Sequence, residues 1–239
     1  MNGSESVGRV AAVLAERGHP HAPRMLADSA RTAQEAADAL GVQLGQIAKS
    51  IVFRRRPDDA LVMVVTSGDQ RVDEKKLEAL ACADGQKLSR ADADFVRDRT
   101  GFAIGGVAPL AHLSAPLLWL DLSLFRFDQV WAAAGHPHAV FAASPAQLAL
   151  LTRASLDDVG AMDLATRARA LLQARAAVVQ CDRSEPPSPC VSVCCMSPTS
   201  GLCNGCLRTL DEIAAWGTLP AAAKRTVWQA IAERAAEPA

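Results

Sequence analysis

The sequence predicts a mixed α+β protein, with a mostly antiparallel, curved, barrel-like sheet, surrounding helices and a small cysteine-rich helical module at its end. Three observations predict it. Two β-rich runs, residues 51–55 and 60–66, flank the turn residues Pro57, Asp58 and Asp59, which marks a hairpin. Helical and strand-like segments then follow without the regular alternation of a parallel βαβ sheet. Beyond about residue 157 the composition shifts to an Ala/Arg/Leu helix, a Pro-rich stretch and a cysteine cluster. A chain of 239 residues, half of them hydrophobic, has room for one medium domain and one small one. We divide it into 1–157, a connector at 158–187, and 188–235.

Taken in order, residues 5–17 place Val7, Val10, Val13 and Leu14 on one stripe, predicting an amphipathic helix stopped by Gly18. A short extended piece falls at 21–26. Thr32 and Glu35 form a capping box for a helix through Ala36, Ala37 and Leu40, ended by Gly41. A second short helix is expected to run to Lys49, placing that lysine at a helix–strand junction. The second run of the hairpin, ALVMVVT, is apolar enough to be buried on both faces. Helices follow at 72–81, capped by Asp73, and at 90–99, capped by Ser89. Residues 115–125 read as a strand, and 129–135 with 139–144 as a further strand pair. Residues 163–179 read as a connector helix with a solvated basic face, and SEPPSP (184–189) as a Pro-rich linker.

A net charge of −1 argues against bulk non-specific nucleic-acid binding, so an anionic partner must be gripped locally. Arg54, Arg55 and Arg56 serve either as that grip or as a solvated strand end. The first ten residues lack the apolar core of a signal peptide, and no run reaches the 18 apolar residues of a membrane span. The expectation is a cytoplasmic chain with no membrane partner, where clustered cysteines mean metal or redox chemistry.

Two stretches carry the chemistry. In QIAKSIVF (46–53), Lys49 has an aliphatic stem near the core and an ammonium at an edge, which snorkelling alone would explain. In GFAIGGVAPL (101–110), Gly105 and Gly106 permit close backbone approach and Pro109 fixes the far side, so N–H groups can be aimed at an oxygen. An ordinary turn is the plainer reading of that loop. Together with VDEKKL and AAAGHPHAVF, in this order and spacing, these stretches resemble the YbaK/ProX family of aminoacyl-tRNA deacylases. The fold of that family also forms the editing domain of bacterial prolyl-tRNA synthetases. The resemblance covers about residues 5–155.

The resemblance implies hydrolysis of the ester joining a wrong amino acid to tRNA, commonly tRNA for proline. Lys49 matches the family's essential lysine and Ser50 a Thr/Ser position. The substrate loop spans Gly105, Gly106, Val107, Ala108 and Pro109. An ammonium at Lys49 would hold the 3′ end of the tRNA, and the N–H groups of Gly105, Gly106 and Val107 would face the developing oxyanion. Relatives that remove cysteine carry a Ser before the strand glycine and an Asp after it. Here Ala133, Gly135 and His136 stand in that stretch, which favours a small aliphatic amino acid such as alanine over cysteine. The partners implied are the aminoacyl-tRNA acceptor end and prolyl-tRNA synthetase, with no cofactor for deacylation. A non-catalytic tRNA-binding protein of the same fold is the alternative. Trp119 and Trp131 read as core.

In the last segment Cys190-x3-Cys194-x8-Cys203-x2-Cys206 has paired thiols at short spacing, which suits tetrahedral zinc or an iron–sulfur cluster. Cys195 reads as a bystander, and Cys82 and Cys181 as packing residues. Residues 188–235 resemble a small bacterial domain of unknown function often taken as an iron–sulfur type. That supports a structural metal without deciding which.

Overall fold

The predicted hairpin is the axis of the first unit. Strands β2 (Ile47–Arg56) and β3 (Ala60–Ser67) pair antiparallel through eight residue pairs, from Ala48↔Ser67 to Arg55↔Ala60. β3 is buried on both faces, with Val62, Met63, Val64 and Val65 fully enclosed. The computed structural model describes residues 3–26, 32–160, 164–191 and 194–236. It divides into the units Met1–Ala161 and Met162–Ala239.

Around the hairpin lie α1 (Gly3–Glu16), β1 (Arg24–Met25), α2 (Ala33–Leu40), α3 (Glu74–Ala81), β4 (Lys87–Arg90) and α4 (Ala93–Thr100). Then come β5 (Leu117–Asp121), β6 (Val130–Ala133), β7 (Ala139–Ala143), α5 (Pro145–Thr152) and β8 (Ser155–Asp157). The strand order is β1-β7-β6-β2-β3-β5-β8, with β4 also on β2. This corrects the expected sheet. β6 joins β2, β5 joins β3 and β8 joins β5 in parallel, so the sheet is mixed rather than mostly antiparallel. Among the described residues β1 and β8 stand at opposite ends of the strand path, so it is open, not barrel-like. The physical reason lies in the long connections, from β3 to β5 through α3, β4 and α4 and from β5 to β8 through β6, β7 and α5, which return the chain to the same end of the sheet.

Local signals decided several elements. Thr32 accepts from Glu35 N and the Glu35 side chain accepts from Thr32 N, closing the capping box, and Gly41 ends α2 in the left-handed region. Asp73 caps α3. Three expectations need correction. A 3-10 turn, Leu44–Gln46, replaces the second helix, and Lys49 is an interior residue of β2. Ser89 lies in β4; α4 starts later, with Asp92 accepting from Phe95 N at 2.8 Å. The run 115–125 splits into β5 and a 3-10 turn, because Asp121 caps Ser123 N.

The second unit holds α6 (Leu164–Cys181), α7 (Leu210–Ala215) and α8 (Ala221–Ala236). Leu172, Ala176 and Val179 of α6 pack with Val227, Trp228 and Ile231 of α8, so the helix read as a connector builds this unit's core. The Pro-rich stretch is strapped to α8 as well. Trp228 Nε1 donates to Pro187 O at 2.9 Å, Arg225 donates to Ser184 O at 2.6 Å, and Lys224 pairs with Glu185 at 2.6 Å. Residues 161–163, at the start of the expected connector helix, and 192–193, inside the cysteine segment, lie outside the described residues. No described helix is long and apolar enough to cross a membrane.

Candidate functional site

The partners of β2 leave a notch in the sheet. With β3 along one edge, its other edge pairs with β6 at Ile47↔Trp131 and Ala48↔Ala132, and with β4 only from Phe53 onward. Between them residues 49–51 have no strand partner on that edge among the described residues. A cavity of ≈ 160 Å³ opens there, lined by Lys49 and Ser50 of β2, Gly105 and Val107 of the glycine loop, Ala133 at the end of β6 and His136 beyond it. Six of the ten residues expected to build the first unit's site therefore meet at one cavity.

Two close approaches fix the loops around it. A Cβ on Gly106 would lie 2.8 Å from the Cα and carbonyl carbon of His136, so the glycine loop rests directly on the backbone of residue 136. Gly135 has φ +91°, and a Cβ there would lie 2.8 Å from the Ser6 carbonyl oxygen on α1. Only glycine meets both demands at 135.

Four expected residues do not line this cavity. Gly106 turns its N–H to Ala103 O at 3.0 Å, so that donor is spent within the loop. Ala108 is fully buried, and Pro109 lines a separate hollow with Arg17 and His112. Gly135 shapes the turn from behind.

Lys49 is held rather than free. Its Nζ donates to Gln70 O at 2.6 Å and Gly68 O at 3.1 Å, which leaves a third N–H on a fixed ammonium. Burial pushes its pKa below the ordinary lysine value; nearby Asp69 opposes that shift and Arg71 adds to it. His136 Nδ1 accepts from His138 N at 3.2 Å, so the neutral ring carries its proton on Nε2.

The sequence reading missed part of the wall. Thr32, the cap of α2, and Ala33 and Ala36 within it line the cavity, as do Pro137, Ala139 and Val140. Trp131, read as core, is half-buried and forms another side, packed on the cluster of Ala36, Ile47 and Val140. The Ser50 hydroxyl and the Trp131 indole N–H are buried and have no hydrogen-bond partner among the described residues. The arginine run is occupied internally. Arg54 grips Asp59 through two bonds at 2.6 and 2.7 Å, Arg55 pairs with Asp58 at 2.7 Å, and Arg56 reaches Asp59 at 3.2 Å.

In the second unit Cys203 and Cys206 are buried, and the Cys190 and Cys194 sulfurs lie 3.9 Å apart. Burial would raise the Cys203 pKa, but the backbone and thiol of Cys206 and the backbone of Gly205 and Cys195 bring it below the usual thiol value. Arg208 Nε donates to Cys206 Sγ at 3.3 Å. A guanidinium donor on the Cys206 sulfur suits a thiolate. Among the described residues no three His, Cys, Asp or Glu side chains are gathered as a metal would hold them.

A family model described as an aminoacyl-tRNA editing domain matches residues 27–151. Residues 188–235 match a family described as a protein of unknown function (DUF1289). The uncharacterized protein YwhH of Bacillus subtilis is 35% identical over 120 residues, 50% of this chain and 74% of its own length. The proline–tRNA ligase of Thermosipho africanus is 34% identical over 80 residues, spanning 34% of this chain but only 14% of the ligase. A solved structure of a candidate trans-editing enzyme for prolyl tRNA synthetase is 40% identical, with a TM-score of 0.61, covering 66% of this chain and 98% of the other.

Proposed function

This chain belongs to the aminoacyl-tRNA editing domain family, and on that premise we propose that it is a trans-editing hydrolase removing a small amino acid, such as alanine or cysteine, from mischarged tRNA for proline. The observation that carries the reading is the meeting of Lys49, Ser50, Gly105, Val107 and His136 at one small cavity in the sheet notch. Water adds to the ester carbonyl, the bond to the ribose oxygen breaks, and free amino acid and tRNA are released. The fixed Lys49 ammonium supplies positive charge for the phosphate-bearing 3′ end or for charge developing on the ester. The Gly105 and Val107 N–H groups face the oxyanion. The acceptor end of the tRNA is the partner, and prolyl-tRNA synthetase is the enzyme whose errors would be cleared.

From the spacing of the four cysteines and the 3.9 Å approach of the Cys190 and Cys194 sulfurs, the second unit is proposed to hold one zinc ion or iron–sulfur cluster on Cys190, Cys194, Cys203 and Cys206. The four would have to draw together on binding, because no three of them are gathered among the described residues. The buried Cys203 and Cys206, with Arg208 donating to the Cys206 sulfur, fit thiolate ligands. The metal's contribution is structural, stapling a module whose core is small. Deacylation rates of the purified protein on alanyl-, cysteinyl- and prolyl-tRNA test the activity. Release of alanine or cysteine with proline retained is the expected result. No release from any mischarged tRNA would leave the non-catalytic tRNA-binding reading.

A further inference from the structure

We propose that Trp131 is a substrate-contacting residue whose indole N–H donates to the carbonyl oxygen of the aminoacyl ester. The assignment rests on the deacylase reading above and adds a donor that reading does not use. Trp131 enters the site from β6, paired in register with Ile47. Its ring is fixed by the apolar cluster of Ala36, Ile47 and Val140, so the direction of its nitrogen is set by packing. That nitrogen is buried and has no partner among the described residues, and the residue that carries it lines the cavity. A buried donor left unpaired is costly, and a small shift of the ring on a cavity-lining residue would let a ligand satisfy it.

The chemistry of the donor narrows the ligand atom. An indole N–H cannot accept, so it takes neither the substrate's α-ammonium nor an apolar side chain. The remaining acceptors of an aminoacyl adenosine near the ester are the carbonyl oxygen, the ester oxygen and the ribose hydroxyl. The carbonyl is the strongest of these, and it gains negative charge as water adds, so a donor already in place tightens in the transition state. The glycine loop is short of one donor here, because the Gly106 N–H is turned to Ala103 O. Trp131 fills that role from β6. The Ser50 hydroxyl, also buried and unpartnered, is the group able to accept from the α-ammonium.

The test uses two hydrolysis-resistant probes: alanyl-adenosine with an amide in place of the ester, and its methylene counterpart without the carbonyl. The chain has four tryptophans, so the indole N–H resonances of the wild-type protein are resolvable, and Trp131→Phe assigns one of them. The Trp131 resonance is expected to shift with the amide probe and stay in place with the methylene probe. Trp131→Phe should bind the amide probe roughly three- to tenfold more weakly and the methylene probe as the wild type does. Its single-turnover deacylation should slow by about tenfold or more. If the wild type deacylates while the Trp131 resonance ignores the amide probe and the variant binds it equally, the proposal is overturned. Equal losses on both probes would give the N–H to a ribose oxygen and overturn the carbonyl assignment. If the wild type neither deacylates nor binds either probe, the deacylase reading fails and takes this one with it.

Discussion

Gly106→Ala is the sharpest perturbation of the site, because it adds one methyl at a point of backbone contact. The new Cβ would lie 2.8 Å from two backbone atoms of residue 136, where ordinary contact begins at 3.4 Å. The neighbour is main chain, so no side chain can swing away, and the two loops must separate by about 0.6 Å. Overpacking of this kind costs ~1–3 kcal/mol. Stiffening the unfolded chain returns ~0.4–1 kcal/mol, since Gly106 lies outside the left-handed region. The net is a destabilisation of ~1–2 kcal/mol, or roughly 2–8 °C in the melting temperature. Activity should suffer more. Gly105, Val107 and His136 line the cavity from those same two loops, and misplacing reacting groups by on the order of 1 Å costs ~100-fold. Single-turnover deacylation and thermal melting of the variant are the assays. Gly8→Ala is the matched control: Gly8 is exposed inside α1, and an added Cβ meets nothing within 4 Å. It should stabilise by ~0.5–1 kcal/mol and leave the rate unchanged. A Gly106→Ala protein with wild-type rate and melting temperature would refute the contact argument.

Lys49→Met should slow deacylation by at least ~10-fold, from the loss of a charge-assisted contact, and leave the Gly68 and Gln70 carbonyls without their donor; a wild-type rate would remove Lys49 from the site. Because burial holds the folded-state pKa of Lys49 below 10.5, the unfolded chain keeps that proton to higher pH, so stability rises as pH climbs from the lowered value toward 10.5. Urea midpoints across alkaline pH should show this rise in the wild type and lose it in Lys49→Met. Elemental analysis should find about one zinc per chain, or iron with sulfide, and Cys203→Ser should lower that content and loosen the second unit while leaving deacylation intact; full occupancy in the variant would refute the ligand set. On substrate choice, each added methylene gains only ~0.8 kcal/mol of transfer free energy, about fourfold, while overpacking a small cavity costs ~1–3 kcal/mol, so alanyl esters should outrun bulky aliphatic ones, with prolyl-tRNA spared. A clear cysteinyl preference would show that Ala133 does not set selectivity, and rapid loss of proline would overturn the editing role.

The features legible in the sequence were those written in short range. The capping box at Thr32 and Glu35, the Asp73 cap and the β2–β3 hairpin each depend on residues a few positions apart, and each formed as read. The Lys49 junction was misread because the apolar spacing before it suits a helix, and pairing of Ile47 and Ala48 with β6 overrides that local preference. Ser89 has cap chemistry, but its hydroxyl is drawn to Arg54 O across the β2–β4 pair. The parallel pairings behind the open, mixed sheet join strands far apart in the chain, and turn chemistry carries no record of them. The arginine run could not be decided from charge alone, since its neutralisation depends on Asp58 and Asp59 folding back in the tight turn.

The site followed the same division, and the reason is physical. Lys49, Ser50 and the glycine loop carry motifs, so their residue types survive in the sequence. Which loop N–H is spent internally, and which ring nitrogen is left unpaired, are properties of the fold alone. Gly106 and Trp131 exchange roles on that account: the glycine is needed for close packing against residue 136 while its N–H goes to Ala103, and the tryptophan supplies an unpaired donor while also serving as wall. The notch itself explains why both matter. A strand edge without a partner leaves polar backbone seeking one, and natural sheets usually cover it. Here β6 and β4 meet β2 on either side of residues 49–51, and the cavity between them is walled by the glycine loop and by α2. Two short backbone contacts, Gly106 on residue 136 and Gly135 on Ser6, hold that wall in place. A side chain at either glycine would therefore act on the cavity without touching a ligand, which is why the Gly106 variant tests the architecture and the Trp131 variant tests the chemistry.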